Sequence, residues 1–258
     1  LIARGVKRLV VAHEDPNPAV NGKGFARARE AGMEVTTGVR EAEARWLNRR
    51  FITFHEQQRP YVILKWARST DGFMDDHGER ARISSPVTDV LVHRWRSEEQ
   101  AILVGSRTVL NDDPVLSVRL VEGRQPLRVV IDRGGITPPS AGSVMDDNAW
   151  LGTAARREDV RGDQLVIGTT TDPSDAVLLE LAQRAITSVL VEGGSELLSH
   201  FIANGNWDEA RVITGSKSFG GGTLSPTFAA AVARSFGSSN DRVDLFTKGS
   251  PPDPSCTW

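Results

Sequence analysis

Ser188-Val-Leu-Val-Glu192-Gly193-Gly194-Ser195-Glu196-Leu197-Leu198 is the stretch on which the reading of this chain turns. Ser188 to Val191 reads as a short buried strand. Glu192 ends it, Gly193-Gly194 makes a turn, and Ser195 opens an apolar-periodic helix through Leu197, Leu198, Phe201 and Ile202. Strand, glycine turn and helix N-terminus in that order can form an anion site. Glycine lets the backbone approach a phosphate, and the helix start offers unsatisfied N–H groups and the positive end of a dipole. Gly-Gly is also an ordinary strand-to-helix turn, so the motif needs support from the rest of the chain.

The same alternation runs outward from it. Tyr61 to Ala67 is an apolar run broken only by Lys65, as in a strand covered on both faces. Ser84-Ser85-Pro86 starts a helix to about Arg96, with the proline in a first-turn position. Ala101 to Val104 is a second buried strand, ended by Gly105 and followed by a short helix from Ser106 to Leu110. Leu127 to Ile131 is a third strand, closed by Asp132-Arg133. Trp150-Leu151, residues 165–167, Arg211 to Thr214 and Val243 to Phe246 read as further strands, and Ser174 to Arg184 as a helix. Upstream, residues 6–12 and 33–36 read as strands, 25–30 as a helix and 39–54 as one long helix. The expected fold class is therefore α/β, with a mostly parallel sheet flanked by helices and preceded by a smaller α/β segment. In such sheets ligands sit at the carboxyl ends of strands.

Composition narrows the function. The 258 residues carry 31 basic and 33 acidic side chains, a net charge of −2, which argues against a nucleic-acid or membrane-surface binder. No apolar run approaches the roughly 18 residues of a membrane span, and no signal-peptide pattern is seen. One cysteine, Cys256, rules out an intrachain disulfide and points to a reducing, cytoplasmic setting. The chain begins at Leu1 and enters a strand at once, so a truncated N-terminus is expected. Pro251 to Ser255, within the tail 249–258, is expected to be disordered.

Few residues are placed to do chemistry. Lys65 interrupts an apolar strand; it is either surface-pointing on an edge strand or aimed into a cleft. Glu192, before the glycines, is either a helix-capping carboxylate or a ligand contact. Gly105-Ser-Arg-Thr108 repeats the strand–glycine–helix pattern, so Ser106 and Thr108 can meet phosphate. Asp112 and Asp113 lie in a turn bounded by Pro114, where adjacent carboxylates are more often turn formers than a catalytic pair. Asp132-Arg133 ends a strand; the acid suits a ribose diol and the arginine a 2′-phosphate, together leaning toward NADP over NAD. Arginines crowd the strand-end loops (Arg68, Arg80, Arg82, Arg96, Arg107, Arg119), where a bidentate phosphate clamp is possible. The five histidines are scattered without metal spacing, and no Walker-type loop or Gly-x-Ser-x-Gly occurs.

Two sets of motifs resemble a known family. Asp15-Pro-Asn-Pro18, Gly22-x-Gly24, Ala31-Gly-Met-Glu-Val35, Gly38-Val39, Glu43-Ala44 and Leu47-Asn48 resemble the end of the deaminase domain of the bifunctional riboflavin-biosynthesis deaminase–reductase. Arg59-Pro-Tyr-Val62, Leu64-Lys65, Ser69-x-Asp-Gly72, Ile83-Ser-Ser-Pro86, Arg96-Ser97, Thr108-Val-Leu110, Asp112-x-Pro114, Leu116-x-Val-Arg119, Arg128-Val-Val-Ile-Asp132 and Val191-Glu-Gly-Gly194 are similar to its reductase domain. The resemblance covers nearly all of residues 6–225.

It implies a C-terminal remnant of a cytidine-deaminase-like domain over 1–56 and a dihydrofolate-reductase-like domain over 59–248. It implies reduction of 5-amino-6-(5-phosphoribosylamino)uracil, a small phosphoribosylated pyrimidine, with NADPH, by hydride transfer to ribose C1′. By the family's pattern, Arg96, Leu116, Arg119 and Glu192 align with substrate contacts. Thr108, Asp112 and the helix start Gly193, Gly194, Ser195, Glu196 and Leu197 align with the cofactor. Lys65 and Glu192 are the residues expected to move protons. A homodimer is implied as well. The family's zinc motifs would lie before Leu1, so neither zinc nor deaminase activity is expected. Arg68, Arg80 and Arg82 depart from the family: Arg80 would strengthen phosphate binding, whereas Arg68 and Arg82 would crowd the nicotinamide. Those departures keep open a related NADPH reductase with another substrate. A non-catalytic nucleotide-binding remnant is the third reading.

Overall fold

In a computed structural model, which describes residues 1–144, 147–160, 162–169 and 172–249, Tyr61–Arg68 forms the strand at the centre of the architecture. The preceding segment contributes β1 (Arg8–Val10), α1 (Lys23–Glu30), β2 (Glu34–Thr36), α2 (Glu41–Leu47) and α3 (Arg49–Gln57), with β1 and β2 paired in parallel. The central strand is β3. After it come α4 (Pro86–Glu98), β4 (Ala101–Gly105), α5 (Ser106–Asp112), β5 (Leu127–Asp132), β6 (Ala149–Thr153) and β7 (Asp163–Val166). Then follow α6 (Pro173–Gln183), β8 (Ser188–Val191), α7 (Ser195–Ala203), β9 (Glu209–Thr214), β10 (Val232–Ser238) and β11 (Asp241–Thr247).

The main sheet has nine strands in the order β10-β11-β9-β3-β8-β4-β5-β6-β7. From β9 to β7 all neighbours are parallel; β11 and β10 add antiparallel strands at one edge. The expected mostly parallel α/β sheet is thus present. Side chains of β3 alternate between two apolar layers. Val62, Leu64 and Trp66 join Leu178 and Leu181 of α6 and Leu198 and Phe201 of α7 on one face. Tyr61 and Ile63 join Val92 and Trp95 of α4 and Val109 of α5 on the other. Burial on both faces is why these strands carry near-continuous apolar runs.

Connectivity fixes where a ligand can enter. From β3 the chain skips one position to β4 and then steps outward through β5, β6 and β7. It returns to place β8 in the gap between β3 and β4, and β9 on the far side of β3. The carboxyl ends of β3, β8 and β4 therefore meet at a topological switch point, the place where ligands bind in open α/β sheets.

Three expectations change. The helix expected over 39–54 is two helices, broken at Asn48, whose Nδ2 donates to the Ala44 carbonyl at 2.9 Å. A side chain that competes for helical backbone groups in this way favours an interruption. β10 is a strand where none is expected, exposed along most of its length. Lys65 lies on a central strand, not an edge. The tail from residue 250 onward lies outside the described residues.

Candidate active site

Lys65, Arg96 and Glu192 come together at the switch point. Lys65 sits four residues into β3, Glu192 follows the last residue of β8, and Arg96 reaches over from the last turn of α4. Arg96 Nε donates to Glu192 Oε1 at 2.8 Å and Nη2 to Oε2 at 2.9 Å, a bidentate fork. Lys65 Nζ donates to the same Oε2 at 3.4 Å. The Glu192 side chain is 7% exposed, and both cations are largely buried. Burial pushes the Glu192 carboxyl up, but Arg96 and then Lys65 outweigh it and bring its pKa down to about 2. Glu192 is thus an ionised carboxylate at every physiological pH. It is a poor proton donor and a weak base.

Beside the cluster lies the glycine turn. Gly193 is buried, and a Cβ there would stand 2.6 Å from Leu197 Cδ2 and 3.1 Å from its Cβ, so only glycine lets α7 start this close to β8. The Gly194 amide donates to Thr108 Oγ1 at 3.0 Å, which joins the two strand–glycine–helix motifs. No side chain caps α7, so the first-turn amides of Ser195, Glu196 and Leu197 have no helical acceptor. Together these features fit an anionic group such as a dinucleotide pyrophosphate. Glu196 is paired with Arg107 at the surface, and Leu197 packs beside Gly105.

A strap crosses this turn. Ser195 Oγ donates to the Leu224 carbonyl at 2.6 Å. The segment before Leu224 is zipped to the loop after β3: Met74 N donates to Thr223 O at 2.8 Å, and Ser225 N to Gly72 O at 2.9 Å. Asp71 anchors it further, accepting from Ser218 Oγ at 2.7 Å and from the Gly220 amide at 2.7 Å. Hydrogen bonds from Ser69, then Gly220 and Ser218, hold the Asp71 carboxyl well below the usual range. Gly222, at φ 134°, lies where any Cβ would overlap the Asp75 carbonyl.

The other expected residues are placed less uniformly. Arg80 is exposed and donates to the Asp112 carbonyl at 3.2 Å, with Nε 3.8 Å from Oδ1 of Asp112, so these two are partners. Burial raises the Asp112 pKa, Arg80 opposes that, and Asp75 adds to it. Arg82 is held by Asp89, and Arg68 Nε donates to Thr214 Oγ1 at 3.3 Å. Arg96, expected as a phosphate ligand, is committed to Glu192 and the Ser117 carbonyl. Arg119 is exposed, and among the described residues its guanidinium meets no carboxylate. Leu116 adopts φ 54° and sends its side chain into the core, so what it offers a ligand is backbone.

Asp132 and Arg133 both have partners within the chain. Asp132 is fully buried; it accepts from the Ile136 and Thr137 amides and pairs with Arg157 at 3.1 Å, so its oxygens serve the loop and not a ribose. Arg133 donates to the Thr169 carbonyl, toward the β7 side of the sheet. Asp71 and His93 were not singled out as site residues. Their partners lie 147 and 26 residues away, and no local pattern signals either contact. Among the described residues no group of three or more His, Cys, Asp or Glu could hold a metal ion, and no helix is long and apolar enough to cross a membrane.

The RibD C-terminal domain family model matches residues 60–231. The riboflavin biosynthesis protein RibD of Aquifex aeolicus is 36% identical over 230 residues, covering 86% of this chain and 65% of that protein. Its Bacillus amyloliquefaciens counterpart is 37% identical over 240 residues, covering 88% and 64%. The chain thus spans just under two thirds of the length of these curated relatives. Among solved structures, the diaminohydroxyphosphoribosylaminopyrimidine deaminase/5-amino-6-(5-phosphoribosylamino)uracil reductase of Thermotoga maritima superposes with a TM-score of 0.83 at 32% identity, covering 95% of this chain and 72% of that one.

Proposed function

This chain belongs to the RibD C-terminal domain family, and on that premise we propose that it is a reductase of riboflavin biosynthesis. Its substrate on this reading is 5-amino-6-(5-phosphoribosylamino)uracil, and the product is the ribitylamino compound. The observation that carries the proposal is the Lys65–Glu192–Arg96 cluster, two glycines from a helix start that suits a pyrophosphate.

Each residue then has a role. Gly193, Gly194 and the amides of Ser195 to Leu197 would hold the pyrophosphate of NADPH, with Thr108 and Asp112 beside them. NADPH, when bound, supplies the hydride for ribose C1′. Lys65 is the acid that protonates the ring oxygen as the ribose opens. Glu192, permanently anionic, orients Lys65 and favours positive charge developing at C1′ in an iminium-like transition state. Arg96 locks the Glu192 rotamer. Arg119, whose guanidinium meets no carboxylate among the described residues, takes the substrate phosphate, and Arg80, held at Asp112, adds positive charge. The strap over Ser195 excludes water from the hydride path.

On the same reading residues 59–248 are the reductase unit, residues 1–56 are a partial deaminase-like segment, and the protein acts as a cytoplasmic homodimer. The deciding assay follows NADPH absorbance with purified chain and the phosphoribosylaminouracil. Oxidation with this substrate, and none with NADH at equal concentration, is expected. A chain that binds NADPH yet never oxidises it with this substrate is a reductase for another compound; one that binds neither cofactor is no reductase.

A further inference from the structure

His93 lies one turn before Arg96 on α4 and has no part in the chemistry above. It is 3% exposed, and its Nδ1 accepts from the Arg119 amide at 3.1 Å. That contact requires an unprotonated Nδ1, hence the Nε2–H form of the neutral ring. The residues before Arg119 are held in a similar way. Arg96 Nη1 donates to the Ser117 carbonyl at 3.2 Å. Gln125 clasps Val118, accepting from its amide at 2.8 Å and donating to its carbonyl at 2.6 Å. Leu116 precedes them at φ 54°, its side chain buried. Residues 116–119 belong to no helix or strand, so side chains from elsewhere set their path. Of the three clasping groups, only the imidazole changes charge near neutral pH.

We propose that His93 is a positioning residue for this segment: neutral, it holds the Arg119 amide and aims the Arg119 side chain at a sugar phosphate; protonated, it loses its acceptor and releases the segment. The proposal rests on the reductase reading only for what Arg119 meets. The charged groups facing the ring are Arg96 and Asp89 on its own helix, Arg119 on the clasped segment and Glu192 from the β8–α7 turn. Burial lowers the His93 pKa most, Arg96 and Arg119 lower it further, and Glu192 and Asp89 oppose them. The clasp is therefore complete at neutral pH and is lost as pH falls through the depressed value.

Two measurements test it on the whole chain. The first is binding of ribose 5-phosphate by calorimetry from pH 8 down through the His93 transition, located by NMR, in wild type, His93→Asn and His93→Ala. Asparagine keeps an acceptor near Nδ1 but does not titrate. Once pH has fallen through the His93 transition, wild type should have lost about fivefold more affinity than His93→Asn, the scale of one net hydrogen bond. His93→Asn should show only the decline from the ligand's own second ionisation near about pH 6. His93→Ala should bind weakly throughout. The second reads the free protein by 15N NMR: an Nε2–H ring at pH 8, and an Arg119 amide signal that moves with the His93 titration in wild type and not in His93→Asn. An Nδ1–H ring, an Arg119 signal indifferent to that titration, or parallel loss of affinity in wild type and His93→Asn overturns the proposal. Loss of turnover with the phosphoribosylaminouracil, while the His93-dependent signals persist, sinks the reductase reading and leaves the clasp standing.

Discussion

Replacing Glu192 with glutamine removes one charge and almost no volume, so its effect isolates the ion cluster. The carboxylate is 7% exposed and serves Arg96 at 2.8 and 2.9 Å and Lys65 at 3.4 Å. Against the upward push of burial, these cations lower its pKa from 4.5 to about 2. A depression of that size corresponds to about 3 kcal/mol favouring the ionised, folded state. Because the folded pKa lies below the unfolded one, this stability is fully present above about pH 4.5 and is lost as pH falls toward 2. Glu192→Gln leaves two buried cations without a counter-charge, so it should destabilise the protein by about 3 kcal/mol at neutral pH. Urea unfolding followed by tryptophan fluorescence reads this, and the gap between wild type and variant should narrow below pH 4.5. A second arm tests coupling: Lys65→Met should cost less in the Glu192→Gln background than in wild type, because it then removes an uncompensated cation. If Glu192→Gln unfolds at the wild-type midpoint at pH 7, and Lys65→Met costs the same in both backgrounds, the three residues are not one unit and the mechanism built on them fails.

Other perturbations probe the remaining parts of the site. Gly193→Ala drives a methyl group into Leu197, a collision of about 1–3 kcal/mol that must shift the start of α7; NADPH fluorescence titration should show about tenfold weaker binding, and wild-type affinity would detach the turn from the cofactor. Arg119→Ala removes a charged donor worth about 1.5–3 kcal/mol to a phosphate; KM should rise for the phosphorylated substrate and hardly move for its dephosphorylated analogue. Asp71→Asn weakens the strap over 218–220, so limited proteolysis there should speed up while the melting temperature stays near wild type. Since the Asp71 carboxyl is held low by its donors, wild type should show the same loosening only in acid, as pH drops through that lowered value.

What could be read from the residues followed burial. β3, β4 and β8 are covered on both faces, and each stood out as an apolar run. Lys65 and Glu192 stood out for the same reason, one as a charge interrupting such a run and the other as a charge ending one. Hidden from the sequence was how arginines are shared. Arg96 and Arg119 look alike as phosphate ligands, yet Arg96 is held by Glu192 from 96 residues away while Arg119 keeps its guanidinium outward. Long-range pairing also hid Asp71 and His93. β10 was missed because its pairing with β11 leaves it mostly exposed, with Arg234, Ser235 and Gly237 weakening any strand pattern. The break at Asn48 escaped notice because apolar spacing continues across it.

A second buried ion cluster explains why the first can act as a site. Lys65 and Arg211 are register partners on the parallel pair β3 and β9, so two cations leave the same face of the sheet side by side. They are drawn apart. Lys65 reaches Glu192 at the carboxyl end, whereas Arg211 turns to Glu209, with Nε at 2.6 Å from Oε1, and lies over the Trp95 ring at 4.9 Å. Around Arg211, Arg50 forks onto the fully buried Glu99, Arg49 pairs with Glu209 at 3.4 Å, and Tyr61 donates to Glu209 at 3.2 Å. That cluster is covered by α3, Tyr61 and Trp95, and its charges meet mainly one another. Its carboxylates also bind α3 to the sheet through arginines whose loss would strand a buried negative charge. α3 is thereby tied to the sheet, although it precedes the proline at residue 60. At the carboxyl end the same chemistry is flanked by the glycine turn Gly193-Gly194 and the start of α7, with no second carboxylate paired to it among the described residues. Two cations there share a single carboxylate, which leaves a surplus positive charge at this end of the sheet. An anionic sugar phosphate and an anionic dinucleotide are the ligands that such a surplus favours.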